Sequence, residues 1–214
     1  RRDFTVNAMA VEVDGDAFGR LLDLFGGLQD LRQATLRAMH SLSFVEDPTR
    51  ILRGVRFEAE LGFAIETQTE RLARRAVDLE LPGRLSGHRL FRELRYLLDS
   101  SAPGPGVRRL HGLDLLRFIH PELAGKAGER AAQRVAEGQA VLDWYRLLYR
   151  AEAVEAWRVG VLLLLWELAA EPLQALLGEF ELRARAVGEL VGDRRRAEGV
   201  LDTLRRQGGP DGDP

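Results

Sequence analysis

The sequence predicts a mainly α fold that opens with a small β-containing segment. Extended patterning is confined to residues 8–24, where AMAVEVDGDAFGRLLDL reads as two short extended segments around Asp14-Gly15-Asp16, residue types that suit a hairpin turn. From Leu28 onward, apolar residues recur at helical spacing in one segment after another. The 214 residues are 45% hydrophobic, enough to bury a core in one large or two small domains.

Taken in order, Gly26-Gly27 breaks the chain, and Leu28 to Met39 has helical spacing. A helix over 48–61 follows, with Pro48 in its first turn, Asp47 as its cap and Gly62 as its stop. Thr67-Gln68-Thr69-Glu70 reads as a capping box that opens a helix to Val77. Ser86 caps the next helix, whose buried face is Leu90, Phe91, Leu94, Leu97 and Leu98. The run DSSAPGPG, Asp99 to Gly106, is the strongest boundary signal. Beyond it, helical patterns occupy 107–119, 127–150, 152–170, 172–180 and 182–206. Trp144, Tyr145, Tyr149, Trp157 and Trp166 sit among leucines, a pattern expected of core. Residues 207–214, rich in Gly and Pro, are expected to be disordered.

Bulk properties narrow the function classes. Formal net charge is −2, so any polyanion partner must be held by a local basic patch. There are 30 arginines and a single lysine, Lys126; arginine supplies forks for phosphates and bases where lysine does not. There is no cysteine, which excludes disulfides and thiolate metal sites. The longest apolar run, Val159 to Trp166, is far short of the ~20 residues of a membrane span. The chain is expected to be soluble and cytoplasmic, without a membrane partner. It opens on RRDFT with no methionine, which reads as a piece of a longer polypeptide. His40 falls in a loop, and His88, His111 and His120 lack metal-ligand spacing, so no metal site is expected.

One stretch carries chemistry. In SFVEDPTRILRGVRF, Glu46 and Asp47 precede arginines at 50, 53 and 56. At about 100° per residue, those arginines drift slowly down one side of a helix. Ile51, Leu52, Val55 and Ala59 cluster on the other side. Two readings fit. One is a solvated helix with i,i+3 ion pairs and an acid at its positive end. The other is nucleotide recognition. A carboxylate accepts from an exocyclic amine while a neighbouring guanidinium donates to the ring acceptor beside it. Cytosine and adenine offer that edge; uracil and guanine put a carbonyl where the amine would be. Further arginines would take phosphates.

The motifs around this stretch carry a family resemblance. Arg1-Arg2-Asp3-Phe4-Thr5-Val6-Asn7-Ala8 resembles the RRDxxxNA motif of class II tRNA nucleotidyltransferases and bacterial poly(A) polymerases. Asp23 to Leu31 resembles their DxxGGxxDL motif, and Glu46 to Phe57 their EDxxRxLRxxRF motif. Arg84-Leu85-Ser86-Gly87-His88-Arg89 through Glu93-Leu94 resembles the helix-turn signature that follows. All four stand in the family's order within residues 1–98. The wording of FGRLLDLFGG and MHSLSFVEDPTR is closest to long members with phosphoesterase-like and CBS domains upstream, several of which add only the terminal A.

The resemblance implies a division into the end of a nucleotidyltransferase head (1–30), a helical base-reading neck (31–98), and a helical body and tail that hold tRNA (107–206). It implies that Arg2 binds the incoming triphosphate and that Asp3 lies near the ribose 2′-hydroxyl. Asp47 and Arg50 would read the base edge, and Arg53 and Arg56 would serve the triphosphate and the helix. Glu46 would orient Arg50, and Asn7 would brace the local turn. Arg194, Arg195 and Arg196, with Arg205 and Arg206, are candidates for tRNA phosphates, although a solvated helix explains them as well. The implied activity is template-independent addition of C or A from CTP or ATP to RNA 3′ ends, most often the tRNA CCA end. Alternatives are a poly(A) polymerase, which shares every motif, and a non-catalytic helical RNA-binding module. Members of this family use two metal ions, Mg²⁺ being expected, held by a D-x-D pair that precedes the RRD motif. Asp14-x-Asp16 is not that pair, because it flanks a turn glycine. This chain alone is therefore expected to be inactive.

Overall fold

A computed structural model describes residues 2–149 and 154–207. Most of the expected disordered tail, 208–214, lies outside them, as do Arg1 and the junction 150–153. The described chain is mainly helical, with a few two-residue strands.

The predicted hairpin forms. Strand β1 (Ala10–Val11) pairs antiparallel with β2 (Leu21–Leu22), in register Ala10 to Leu22. Gly15 turns between them at φ +70°, and the Asp14 carboxylate accepts its amide at 2.8 Å. Short helix α1 (Gly27–Arg32) follows. Its start explains the DxxGGxxDL motif. The Asp23 carboxylate accepts the Gly27 and Leu28 amides at 2.8 and 2.9 Å, satisfying first-turn donors. A Cβ on Gly27 would lie 2.3 Å from the Thr5 carbonyl oxygen, so only glycine allows α1 to approach this closely. Asp30, buried, accepts from the Thr5 hydroxyl at 2.7 Å and from Arg37.

The helix expected over 28–39 ends at Arg32. Ala34 turns the chain at φ 49°, and Thr35–Leu36 forms β3, paired in parallel with β4 (Ala64–Ile65). Strands are thus not confined to the first residues. Leu36 fits both periodicities, and tertiary pairing decided: its side chain is fully buried, and its carbonyl accepts the Glu66 amide at 3.0 Å.

Between these strands lie α2 (Ser43–Glu46) and α3 (Thr49–Leu61), which Gly62 ends at φ 67°. Helix α4 (Thr67–Asp78) is capped differently from the sequence reading. Glu66, not Thr67, is the cap, and its carboxylate accepts the Thr69 amide at 2.8 Å. Glu70 turns outward instead, to Arg74 and Arg109. Helix α5 (Gly87–Leu98) is capped by Ser86, as predicted, and buries the five predicted apolar residues.

Of the run at 99–106, residues 99–102 connect α5 to the next helix and residues 103–106 form its first turn. Helix α6 spans Pro103–Gly112, with proline at its first position, where the missing N–H costs nothing. Gly104 and Gly106 admit Ala136 and Leu97 at distances a Cβ would violate. The predicted 107–119 helix stops at Gly112 and gives way to short 3-10 turns at Leu116–Phe118 and Pro121–Leu123. Then come α7 (Lys126–Leu148), α8 (Ala156–Leu164), α9 (Ala170–Glu179) and α10 (Ala184–Arg206). One buried apolar cluster runs from Phe4 to Leu190. Trp157 joins it, stacking edge-on against Phe91, which also stacks on Phe180. Trp144, in the last turns of α7, and Tyr149, just past its end, do not, being 59% and 52% exposed.

Gly87, the first residue of α5, sits where a Cβ would be 2.1 Å from the Glu179 carbonyl oxygen at the end of α9. Backbone cannot yield as a side chain does. Gly87→Ala is expected to lower the unfolding free energy by about 2 kcal/mol, read by urea denaturation; an unchanged midpoint would show that this contact is not tight.

Candidate nucleotide site

The amino-terminal segment and α3 meet edge to edge. Phe4 inserts against Gly54, where a Cβ would lie 3.0 Å from its ring, and meets Phe57 edge-on at 6.1 Å. This apolar clamp holds Asp3 over α3. Asp3 is 7% exposed and all its acceptor positions are engaged. Oδ1 accepts from the Phe4 amide at 2.9 Å and the Asn7 side-chain amide at 3.0 Å. Oδ2 accepts from Arg53 Nε at 2.7 Å, with the Arg53 Nη2 in ion-pair contact at 2.6 Å. Burial pushes the Asp3 carboxyl up, but the hydrogen bonds from Asn7 and Arg53 and the Arg53 charge outweigh it and hold the group below the ordinary carboxylate range. Asn7 thus braces Asp3 directly.

Beside this pair opens a cleft of about 530 Å³ lined by Arg2, Asp3, Asn7, Asp47, Thr49, Arg50, Arg53, Phe57 and Arg92. Four arginines face two aspartates, an excess of two positive charges in a chain whose net charge is −2. Arg2 is exposed and makes no ion pair among the described residues. That combination can hold a polyanion beside a hydrogen-bonding edge.

Asp47 and Arg50 form that edge. Asp47 lies in extended backbone between α2 and α3, and its carboxylate accepts the Thr49 amide at 3.1 Å, near the predicted cap role. Arg89 of α5 donates to the same oxygen, Oδ1, at 2.8 Å. Arg50 is only 7% exposed, so the arginine row is not uniformly solvated. Its Nη1 donates to the Ser43 carbonyl at 3.2 Å and hydroxyl at 2.9 Å, with Glu46 3.7 Å away. Glu46 therefore stands where it can orient Arg50, and His40 lies 3.5 Å from it.

The structure brings Arg2, Asp3, Asn7, Asp47, Arg50 and Arg53 to one cleft but leaves Arg56 out of its lining. Arg56 pairs with Glu60 at 2.8 Å and stacks on Phe57 and Tyr96. The reason is rotation: two turns along α3 the row has swung toward α5. There it meets Glu93, whose side chain is 1% exposed, with Arg53 and Arg56 each 4.0 Å away and Arg92 at 3.6 Å. Arg92, Arg89 and Thr49 were missed as site residues. All three stood inside quoted motifs, Arg92 on α5 one turn beyond Arg89. On α10, Arg194 is structural: it donates to the Trp166 carbonyl at 3.0 Å and to Glu198 at 2.9 Å. Arg196 is exposed beside Asp193, and Arg195 lines a groove between α9 and α10.

Residues 1–37 match the family profile "Poly A polymerase head domain", and residues 62–126 match "Probable RNA and SrmB- binding site of polymerase A". The A-adding tRNA nucleotidyltransferase of Geobacter sulfurreducens is 40% identical over 207 residues, 97% of this chain and 23% of that protein. The chain belongs to the tRNA nucleotidyltransferase and poly(A) polymerase family. Among solved members, a CCA-adding enzyme with CTP superposes with TM-score 0.80 at 31% identity, covering 97% of this chain and 49% of that one. The Thermotoga maritima CCA-adding enzyme complexed with tRNA gives the same score and identity, covering 96% and 49%. The chain thus spans about a quarter of the curated relative and about half of these solved members.

Glu93 is a buried countercharge beside the arginine row, and a neutral side chain there leaves Asp3 and Glu60 as the carboxylates paired with Arg53 and Arg56. Glu93→Gln is expected to lower the unfolding free energy by about 2 kcal/mol. A urea titration showing equal or greater stability would remove Glu93 from this role.

Proposed function

We propose that this chain is the base-reading neck and RNA-holding body of an enzyme that adds the terminal A to the 3′ end of tRNA from ATP. The observation that carries the reading is the Asp47–Arg50 edge in a cleft with excess positive charge. Adenine presents its exocyclic amine to Asp47 and its ring nitrogen to Arg50. Arg2, Arg53 and Arg92 face the triphosphate, and Asp3, once Arg53 turns to phosphate, accepts from the ribose 2′-hydroxyl. Arg195 and Arg196 remain candidates for tRNA phosphates. The choice of A over C rests on the Geobacter relative, which is named for adding A.

Bound Mg²⁺ would supply Lewis-acid activation of a hydroxyl nucleophile. The carboxylates described here do not fit it: Asp3 accepts three hydrogen bonds and is ion-paired to Arg53, and Asp47 Oδ1 accepts from Thr49 and Arg89. Among the described residues no three ligating side chains gather, and no step is routed through a metal at these positions.

The test is incorporation of each nucleotide by the full-length protein onto tRNA transcripts ending in CC, in C or before either, and onto an oligoadenylate. Addition of one A to the CC transcript is expected. Asp47→Ala and Arg50→Ala should each cost about tenfold or more in preference for ATP over GTP. Preference unchanged in both variants would overturn base reading by this pair; long A tracts on the oligoadenylate would overturn the tRNA assignment.

A further inference from the structure

We infer that Arg89 is a specificity-determining positioning residue, which turns Asp47 into a single fixed acceptor and so denies entry to bases that carry a carbonyl at the edge. The inference rests on the base-reading proposal for Asp47 and extends it to a residue on another helix.

The geometry is asymmetric. Asp47 receives hydrogen bonds from the Thr49 amide, the Thr49 hydroxyl and Arg89 Nη2, and all three fall on Oδ1. None uses Oδ2. Two of the donors belong to the helix that Asp47 precedes, and they follow that helix wherever it goes. Arg89 is different: it stands 42 residues away and crosses from α5. Arg50 does not make this bond here; its Nη1 donates to Ser43 instead. One oxygen is therefore tied down and the other is left for a ligand. A base that brings one amine hydrogen finds one free acceptor.

Arg89 is itself well placed. It occupies the first turn of α5, where the Ser86 hydroxyl accepts its amide, and the turn is pressed by Gly87 against the end of α9. Its side chain is 44% exposed, so its removal leaves no core cavity.

Charge matters as much as placement. Burial pushes the Asp47 carboxyl up, and the hydrogen bonds from Thr49 with the charges of Arg89 and Arg50 bring it below its ordinary value. A protonated Asp47 would offer a hydrogen to a carbonyl and so accept guanine or uracil at that position. Arg50 would still oppose their ring N–H, so discrimination would fall without vanishing. The other charged groups around the cleft are Arg2, Asp3, Arg53 and Arg92, with Glu93 behind them and Glu46 beside His40. All are unchanged in an Arg89 variant and cancel in a comparison with the parent at the same pH.

The experiment uses the full-length protein with a tRNA transcript ending in CC and measures kcat/KM for ATP, CTP, GTP and UTP from pH 7.5 to 5. The parent should hold its ATP-to-GTP ratio across the range. Arg89→Gln should lose more of that ratio at pH 5 than at pH 7.5, and Arg89→Lys, which keeps the charge, should restore most of it. Thermal unfolding of both variants should match the parent. An equal loss for all four nucleotides, or a ratio in Arg89→Gln that matches the parent throughout, overturns the inference. So does a fall that ignores pH, since Arg89 would then only place the carboxylate. A parent without nucleotide preference would instead sink the base-reading proposal itself, and this inference with it.

Discussion

Asp3 and Arg53 stand fifty residues apart in the chain, yet share a hydrogen bond at 2.7 Å and an ion-pair contact at 2.6 Å. That pair fixes the amino-terminal segment against α3, and everything in the cleft depends on it. Without it, Arg2 and Asp47 would have no defined relation and would not line one cleft. The pair sits at the edge of a dry clamp made by Phe4, Phe57 and the bare backbone of Gly54. Burial raises the cost of separating the charges, so the clamp and the ion pair support one another. The same pairing leaves Asp3 saturated, so any ligand that wants this carboxylate must first draw Arg53 away.

The arginine row does not behave as one surface. Its members share a sequence spacing and diverge in role because a helix turns by about 300° over three residues while its surroundings change. Arg50 is sunk against Ser43, Arg53 is divided between Asp3 and the cleft, and Arg56 leans on aromatic rings. Glu93 is the buried charge common to the last two. Two arginines near one carboxylate at 4.0 Å, rather than in tight contact, can each move toward an incoming anion without leaving it uncompensated.

Much of the site was legible because its chemistry is local. The apolar side of α3, Ile51, Leu52 and Val55, follows from helical spacing and is buried as read. The four motifs gave the cleft its Arg2, Asp3, Asp47 and Arg50 before any coordinates. What the sequence hid was contact across the chain. Thr35–Leu36 is too short to show a strand period, and its partner lies 29 residues on. The run DSSAPGPG uses the residues of a linker, but its glycines make room for Leu97 and Ala136, a reason visible only from the neighbours. Glu66 caps α4 because it leaves β4 at the right angle, which no S/T-x-x-E pattern encodes. Arg89 and Glu93 look like ordinary members of an amphipathic helix until α5 is laid beside α3.

That last juxtaposition also answers why the body is needed for the reader. Helix α5 carries Arg89 at one end and Leu97 and Leu98 at the other, and its middle is clasped from the body side. Phe91 lies between Trp157 of α8 and Phe180 beyond α9, and the Trp157 amide donates to Asp99 at 3.0 Å. A single residue of rotation in α5 would swing Arg89 by about 100° and break its bond to Asp47. The aromatic stack and the Gly87 contact forbid that rotation, because rings at 4.8 Å and a carbonyl against bare backbone leave no room for it. The position of one carboxylate oxygen in the cleft is thus set by packing in helices that come more than a hundred residues later in the chain.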